Sequence, residues 1–352
     1  MPLRPLYGHE PVRHRLAGAI AAGRLPQALL FEGPRGVGKQ RLALWLAQGM
    51  VCEREGGRST GDGCGECQPC RLVLNLSHPD VHWFVPVEIT RKGADAEKQV
   101  ELVEDALAEE MAARREQPLY QPPSGLASHG IASVRLLSRR LHLTPALARR
   151  KVFIVGDAER LVPQQASPEA ANALLKALEE PPADTVFVLT SSQPDALPAT
   201  ILSRVVRVRV ARLPDSVLTE FAQRELSNAS KRSLPQQLSS AEGCVGRLLA
   251  SDGDSSVGNR DAANAFLTAT RGSPAQRYAT ALAQQPFQAR GGFTALLDGL
   301  LEHLRGAART GKDTSAVVAA ISRVLDARGM AQGNVNPQLL AAVLADEMWS
   351  NG

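Results

Sequence analysis

Short runs of consecutive apolar residues, bounded by polar or glycine-rich segments, recur through the first 210 residues of the chain. Runs of this length without a helical repeat predict buried strands, and the last of them alternates arginine with valine, as at a half-exposed sheet edge. The predicted strands lie at residues 28–31, 81–85, 151–155, 185–190 and 204–210. Between them, apolar residues repeat every three or four positions and predict helices. Strands that alternate with helices predict an α/β fold, whose parallel sheet is covered on both faces.

The pattern changes twice along the chain. Residues 88–130 are charged and rich in alanine and glutamate, with helical character from 95 to 115, which predicts a surface insertion. Beyond Leu213 the strand pattern ends and only helical segments follow. We therefore expect an α/β domain over residues 1–210, a small helical lid over 211–253 and an all-helical domain over 254–352.

Length and charge narrow the classes of protein that fit. The chain has 352 residues and a net charge of +4, without the concentrated basic charge of a dedicated DNA-binding protein. No apolar run approaches the roughly 18–20 residues of a membrane span. The first residues lack the apolar core of a signal peptide. We expect a cytoplasmic protein with no membrane partner.

A glycine-rich segment joins the first predicted strand to a helix and resembles a phosphate-binding loop. It consists of Gly33, Pro34, Arg35, Gly36, Val37, Gly38 and Lys39. Glycines let backbone N–H groups converge on a phosphate at the start of a helix, and the lysine would reach the terminal phosphates. The next residue, Gln40, stands where a serine or threonine hydroxyl would complete a magnesium shell. Binding of ATP and Mg²⁺ is therefore doubtful, and a purely structural glycine turn is the alternative.

The strand at 151–155 leads into Asp157 and Ala158. In P-loop ATPases a carboxylate at such a strand end contacts the metal ion, and a glutamate usually follows it and polarises the attacking water. Asp157 retains the first role, but Ala158 has no group for the second. Because Gln40 and Ala158 remove two separate catalytic parts, the sequence predicts no intrinsic ATP hydrolysis and a function exerted on a neighbouring protein.

Four of the five cysteines cluster in one short segment, at Cys52, Cys64, Cys67 and Cys70. Four thiolates close a tetrahedral zinc shell without leaving a position for water, so the spacing predicts a structural zinc module over residues 52–70. An iron–sulfur cluster uses the same ligands, and a redox-active pair is a further alternative. A zinc ribbon that binds nucleic acid is a different interpretation, although basic and aromatic residues do not interleave the cysteines. Cys244 is expected to be a core residue.

Together these motifs resemble the bacterial clamp-loader ATPase family, and within it the delta-prime subunits of DNA polymerase III. Residues 171–182, Ala-Asn-Ala-Leu-Leu-Lys-Ala-Leu-Glu-Glu-Pro-Pro, are close to the signature segment of that family. Residues 197–204, Leu-Pro-Ala-Thr-Ile-Leu-Ser-Arg, resemble its Ser-Arg-Cys motif, with Val205 in the cysteine position. The resemblance covers residues 1–210 apart from the insertion, and the helical remainder matches by position only.

The resemblance implies a RecA-like AAA+ domain with a zinc module, followed by a small helical lid and an all-α collar that holds subunits together. It further implies a non-catalytic stator subunit, which supports ATP-driven loading of the beta clamp onto primed DNA. Its partners would be the gamma/tau and delta subunits. Arg204, next to Ser203, would be an arginine finger donated to a neighbouring ATPase subunit.

Other site residues follow from the resemblance alone. Ser191 lies near the first sensor position, and Gly246, rather than Arg247, aligns with the arginine of the second sensor. As part of the holoenzyme, the chain would be grouped with DNA-directed DNA polymerases although it has no polymerase residues. The alternative is an active gamma/tau-like ATPase.

Overall fold

The computed structural model describes residues 3, 5–55, 57, 61–89, 95–116, 127–161, 169–226, 234–250, 254–284, 292–309, 314–331 and 335–348. The strands are β1 (Ala28–Glu32), β2 (Val81–Phe84), β3 (Lys151–Val155), β4 (Thr185–Ser191) and β5 (Val206–Arg209). The helices among and before them are α1 (Glu10–Ala21), α2 (Lys39–Val51), α3 (Gln68–Leu74), α4 (Ala96–Glu116), α5 (Ile131–Leu141), α6 (Glu169–Glu179) and α7 (Ala199–Leu202).

These strands form one parallel sheet in the order β2-β3-β4-β1-β5. Every residue of β3 and β4 is buried, whereas β5 lies at an edge and is largely exposed. Alternate residues enter different cores, with Phe153 and Phe187 on one side and Ile154 and Val188 on the other. The predicted parallel sheet with both faces covered is therefore confirmed, and so is its half-exposed edge strand.

Several strands end at the same edge of the sheet, which places their following loops together. β1 continues into the glycine-rich loop, β3 into Asp157, and β4 ends at Ser191. In open parallel sheets this carboxyl edge is where ligands bind. Arg204 precedes β5 instead, and Val206 pairs with Leu29 early in β1. Arg204 therefore lies at the edge where the strands begin, whereas the glycine-rich loop lies at the edge where they end.

The predicted insertion contains a long helix, α4, that packs against α5. Its buried apolar side consists of Val100, Val103 and Leu107. Glu97 and Glu104 form ion pairs with Arg139 and Arg140 of α5, at 3.2 and 2.6 Å. Residues 90–94 and 117–126 of the insertion lie outside the described residues. The predicted helical character is confirmed, and the helix adds a layer over α5.

All the secondary-structure elements that the structure describes after β5 are helices. These helices are α8 (Asp215–Glu225), α9 (Leu234–Ala241), α10 (Val245–Ala250), α11 (Asp254–Thr270), α12 (Pro274–Leu282), α13 (Thr294–Arg309), α14 (Thr314–Ala331) and α15 (Pro337–Glu347). Two compact units divide the chain, one ending at Arg247 and one beginning at Leu248. The second has its own core, centred on α13 with Leu297, Leu300 and Leu304. The finer division at residues 210 and 253 stays a prediction.

Within the described ranges, we find no helix that is both long enough and apolar enough to span a membrane.

Candidate functional site

The glycine-rich loop wraps from the end of β1 to the start of α2. Gly36 and Gly38 have φ values of 80° and 106°, which L side chains rarely adopt. Val37 is fully buried, and its carbonyl oxygen lies 2.9 Å from His9 Nε2, whereas Arg35 is exposed. The loop thus has left-handed glycine conformations and leads directly into α2, and its role in binding phosphate stays a prediction.

Lys39 is turned inward onto its own loop. It is 6% exposed, and its Nζ donates hydrogen bonds to the carbonyl oxygens of Gly33 and Pro34 at 2.8 and 2.9 Å. Burial lowers the pKa of Lys39, and the nearby carboxylates of Glu159 and Asp157 act against that shift. The ammonium group that would bind phosphate is therefore held by the fold itself.

Gln40 packs against the end of the strand that would carry the metal ligand. A Cβ atom placed on Gly156 would lie 2.8 Å from Gln40 Oε1, so the amide sits directly against that backbone. Gln40 is 7% exposed, and Oε1 has no hydrogen-bond partner among the residues that the structure describes. The side chain thus occupies the space between α2 and the end of β3, where a P-loop hydroxyl and a metal ion would meet.

The end of β3 has a second carboxylate that sequence reasoning missed. Asp157 has a φ of 49°, and its N–H donates to Thr190 Oγ1 at 3.1 Å. Ala158 is fully buried. Glu159 Oε1 accepts hydrogen bonds from the N–H and Oγ of Ser192 at 3.2 and 2.6 Å. Its position two residues after the predicted metal ligand was the available signal.

Glu159 is hydrogen-bonded to the loop after β4 through only one of its two oxygens. Its Oε2 is buried and lacks a hydrogen-bond partner within the described ranges. Ser191 is fully buried too, and its Oγ accepts a hydrogen bond from the Gln193 N–H at 3.0 Å. Glu159 and Ser191 therefore both make hydrogen bonds to the loop that follows β4.

The start of α10 closes over the glycine-rich loop. The Gly246 N–H donates to the Gly36 carbonyl oxygen at 2.8 Å, and a Cβ atom on Gly246 would lie 2.7 Å from the Gly36 Cα. Arg247 pairs instead with Glu242, which also pairs with Arg212 at 3.0 Å. At this position a side chain longer than glycine would collide with the loop, and Arg247 is engaged elsewhere.

The cysteine cluster converges as its spacing predicted. The four sulfur atoms of Cys52, Cys64, Cys67 and Cys70 lie within 4.8 Å of one another. The Cys52–Cys67 and Cys64–Cys70 sulfur pairs are 4.0 and 3.9 Å apart. A zinc–sulfur bond of 2.3 Å gives a tetrahedron with an edge of about 3.8 Å. The cluster therefore has the ligand number and spacing to hold a tetrahedral metal ion.

Local hydrogen bonds prepare one of these thiols for deprotonation. Burial acts to raise the pKa of Cys64, but the backbone N–H groups of Cys67 and Glu66 outweigh it and lower the pKa to about 6. The Cys67 N–H lies 3.3 Å from Cys64 Sγ. Because a thiolate is the form that binds metal, the backbone favours the ligand state.

Ser203 and Arg204 lie in the turn between α7 and β5. Arg204 Nη2 contacts Glu179 Oε1 at 2.6 Å, and its Nη1 donates to the Thr200 carbonyl oxygen at 2.8 Å. Ser203 Oγ lies 3.2 Å from the same Nη1 and donates to that carbonyl at 3.0 Å. The structure does not bring these residues to the glycine-rich loop, since the two lie at opposite edges of the sheet.

A comparison with protein families assigns the chain. The family model described as DNA polymerase III, delta subunit, matches residues 8–214, which is more than half of the chain and includes every site described above except α10. The chain belongs to this family. Within the DNA polymerase III delta subunit family, the expected resemblance to delta-prime proteins is also confirmed.

Individual relatives separate two kinds of subunit. The delta' subunit of DNA polymerase III from Escherichia coli K12 is 27% identical over 340 residues, which cover 96% of this chain and 85% of that protein. The delta' subunit from Bacillus subtilis is 33% identical over 189 residues, covering 54% and 43%. The tau subunit from Salmonella typhimurium is 32% identical over 206 residues, which span 58% of this chain and only a quarter of that protein.

A solved structure gives a weaker likeness. The match to the DNA polymerase III gamma subunit-related protein of Thermotoga maritima covers 95% of this chain and 99% of that chain at 16% identity. Its TM-score of 0.42 is too low to support a conclusion about fold or function.

Proposed function

We propose that the chain is the non-catalytic stator subunit of a bacterial clamp loader. In this role it joins gamma/tau and delta subunits, and the complex uses ATP to load the beta clamp onto primed DNA. The delta' relative that matches from end to end supports this assignment. The tau relatives match only in part, so the active gamma/tau-like alternative is not favoured.

The observation that carries the non-catalytic assignment is the packing of Gln40 against Gly156. The amide takes the place of the hydroxyl and its metal ion, and Ala158 supplies no base for the attacking water. Glu159 lies one residue further along, and Ser192 holds its Oε1 with two donors. We expect no ATP hydrolysis by the purified chain.

The position of Arg204 supports a finger that acts on another subunit. Arg204 precedes β5 at the amino edge of the sheet, while the chain's own glycine-rich loop follows β1 at the carboxyl edge. A strand of five residues spans about 16 Å, so Arg204 does not reach its own loop. A guanidinium that contacts a neighbour's γ-phosphate stabilises the transition state, and such fingers accelerate hydrolysis by roughly 10³–10⁵-fold.

The decisive experiment is ATP turnover by a loader reconstituted from gamma/tau, delta and this chain, with clamp and primed DNA present. Arg204→Ala is expected to lower turnover at its site at least about 10²-fold, with assembly intact. Arg207→Ala is the matched control, because Arg207 is a similarly exposed arginine that also pairs with one carboxylate, Glu32, at 2.7 Å. Unchanged turnover with Arg204→Ala would remove the finger from the proposal.

We further propose that the metal held by the cysteine cluster is zinc and that its role is structural. Four sulfur ligands complete a tetrahedral shell and leave no open position for chemistry. Two of the sulfur pairs lie close to the edge length of that shell. Metal analysis of the purified chain is expected to give one zinc per chain and no iron, and bound iron would instead establish an iron–sulfur cluster.

A further inference from the structure

The guanidinium of Arg204 contacts groups of its own chain. Both terminal nitrogens are engaged, Nη2 by Glu179 Oε1 at 2.6 Å and Nη1 by the Thr200 carbonyl oxygen at 2.8 Å. Glu179 is the last residue of α6, and Pro181 follows shortly after it, which fixes the end of that helix. The end of the helix therefore places Glu179 beside the turn that precedes β5.

An arginine uses the same N–H groups for a carboxylate and for a phosphate. Arginine prefers forked, bidentate contacts with either anion. Each terminal nitrogen has a second N–H group, but a carboxylate and a γ-phosphate that shared the guanidinium would repel each other, so binding of the phosphate favours release of Glu179. The carboxylate and the neighbour's phosphate compete for one guanidinium.

We propose that Glu179 is a positioning residue that holds Arg204 away from the neighbouring ATP site until assembly on clamp and DNA favours engagement. This inference rests on the proposed finger role of Arg204. The pair is suited to such a latch, because the two side chains are 34% and 46% exposed. Exposed ion pairs are weak and screened by salt, so the contact biases the finger without trapping it.

The residue next to Glu179 provides the matched control. Glu180 is exposed on the same helix end, and no ion pair of Glu180 is found in the described part of the chain. Glu179→Gln and Glu180→Gln remove the same charge one residue apart. The two variants therefore differ in whether the charge that is removed is the one paired with Arg204.

The test measures ATP turnover of the reconstituted loader without and with clamp and primed DNA. Glu179→Gln is expected to raise the unstimulated rate about two- to fivefold and leave the maximal stimulated rate within about twofold. The primed-DNA concentration for half-maximal stimulation is expected to fall by a similar factor. Glu180→Gln is expected to match the wild type in all three.

Two further measurements connect the effect to Arg204. Raising the ionic strength is expected to lift the wild-type unstimulated rate toward that of Glu179→Gln, since salt screens the pair. The double variant Glu179→Gln with Arg204→Ala is expected to equal Arg204→Ala alone. Glu179→Asp, which keeps the charge, is expected to restore most of the wild-type behaviour.

The outcomes separate the latch from the finger. If Arg204→Ala lowers stimulated turnover but Glu179→Gln equals Glu180→Gln, the latch is overturned and the finger stands. If Glu179→Gln lowers stimulated turnover as Arg204→Ala does, Glu179 supports the engaged finger and the latch is again overturned. If Arg204→Ala has no effect, the finger fails and the latch fails with it.

Discussion

Helix α2 begins at the glycine-rich loop and ends at the cysteine cluster, and the two sites differ in what their polar groups contact. At its first residue, Lys39 binds the carbonyl oxygens of its own loop, and Gln40 packs where a metal ion would lie. Just past its last residue, Cys52 meets three other cysteines at the spacing of a metal shell. One end of the helix thus adjoins a loop whose lysine binds the loop's own carbonyl oxygens, and the other end adjoins four converging thiols.

The two sites differ in whether the candidate ligand groups converge on one point or bind groups of the chain itself. In the cysteine cluster, four thiol groups converge on one point, an arrangement that a metal ion stabilises. In the phosphate loop, the Lys39 ammonium donates to the Gly33 and Pro34 carbonyl oxygens, whereas Gln40 Oε1 and Glu159 Oε2 nearby have no hydrogen-bond partner in the described ranges. On the proposed non-catalytic assignment, packing accounts for the backbone shape that the motif keeps.

Removing one thiol should have the largest effect of the changes that test this contrast. Cys70 is buried at the first turn of α3. Cys70→Ser is expected to abolish zinc binding and lower the free energy of unfolding by at least ~3 kcal/mol, because the metal crosslinks the end of α2, the loop that carries Cys64 and Cys67, and the start of α3. Metal analysis and urea unfolding measure both quantities. Cys244→Ala, which changes a cysteine outside the cluster, should keep one zinc per chain, and loss of zinc there would contradict this division.

The packing of residues 61–65, the segment that includes Cys64, gives a second test with a smaller expected loss of stability. Gly61 has a φ of 67°, and a Cβ atom there would lie 2.4 Å from the Cα of Ala17. Gly65 has a similar φ of 74°, but a Cβ atom there would have no described neighbour within 4 Å. Gly61→Ala is expected to cost about 3 kcal/mol and Gly65→Ala about 1 kcal/mol, because only the first adds a collision to the backbone strain. Equal losses in urea unfolding would show that the segment is not docked through Gly61.

Sequence patterns were sufficient for the parts of this molecule that depend on local order. Apolar runs predicted the parallel sheet, and the cysteine spacing predicted a cluster that the structure brings together. The contacts that decide the phosphate loop are different, since Gln40 meets Gly156 and Gly36 meets Gly246 across the fold. No periodicity reports such pairs, because they depend on how strands and helices are placed in space.

Two carboxylates were missed for the same reason. Glu159 was overlooked because the motif directs attention to the residue directly after the metal ligand, and its partner Ser192 lies 33 positions along the chain. The Glu179–Arg204 pair is separated by 25 positions and joins two segments that the sequence presents as unrelated motifs. Both contacts become visible only once β4 is placed beside β3 and β1.

The smallest expected effect concerns Lys39, the residue that a working phosphate loop cannot lose. If the loop is only structural, Lys39→Met should leave turnover of the reconstituted loader within about twofold of the wild type. The effect of Lys39→Met should instead appear in how the free energy of unfolding depends on pH. Burial lowers the pKa of Lys39, so between that lowered value and the ordinary lysine value of about 10.4 the unfolded chain binds more protons than the folded one.

In that window the stability of the wild type therefore rises with pH relative to Lys39→Met, and at lower pH the difference between the two is constant. Urea unfolding at a series of pH values measures the difference, which should not exceed about 1 kcal/mol. Lys176→Met changes an exposed lysine of α6 and should keep a constant difference from the wild type throughout. A loss of loader turnover with Lys39→Met would instead mean that phosphate still reaches the loop, and the contrast between the two ends of α2 would fail.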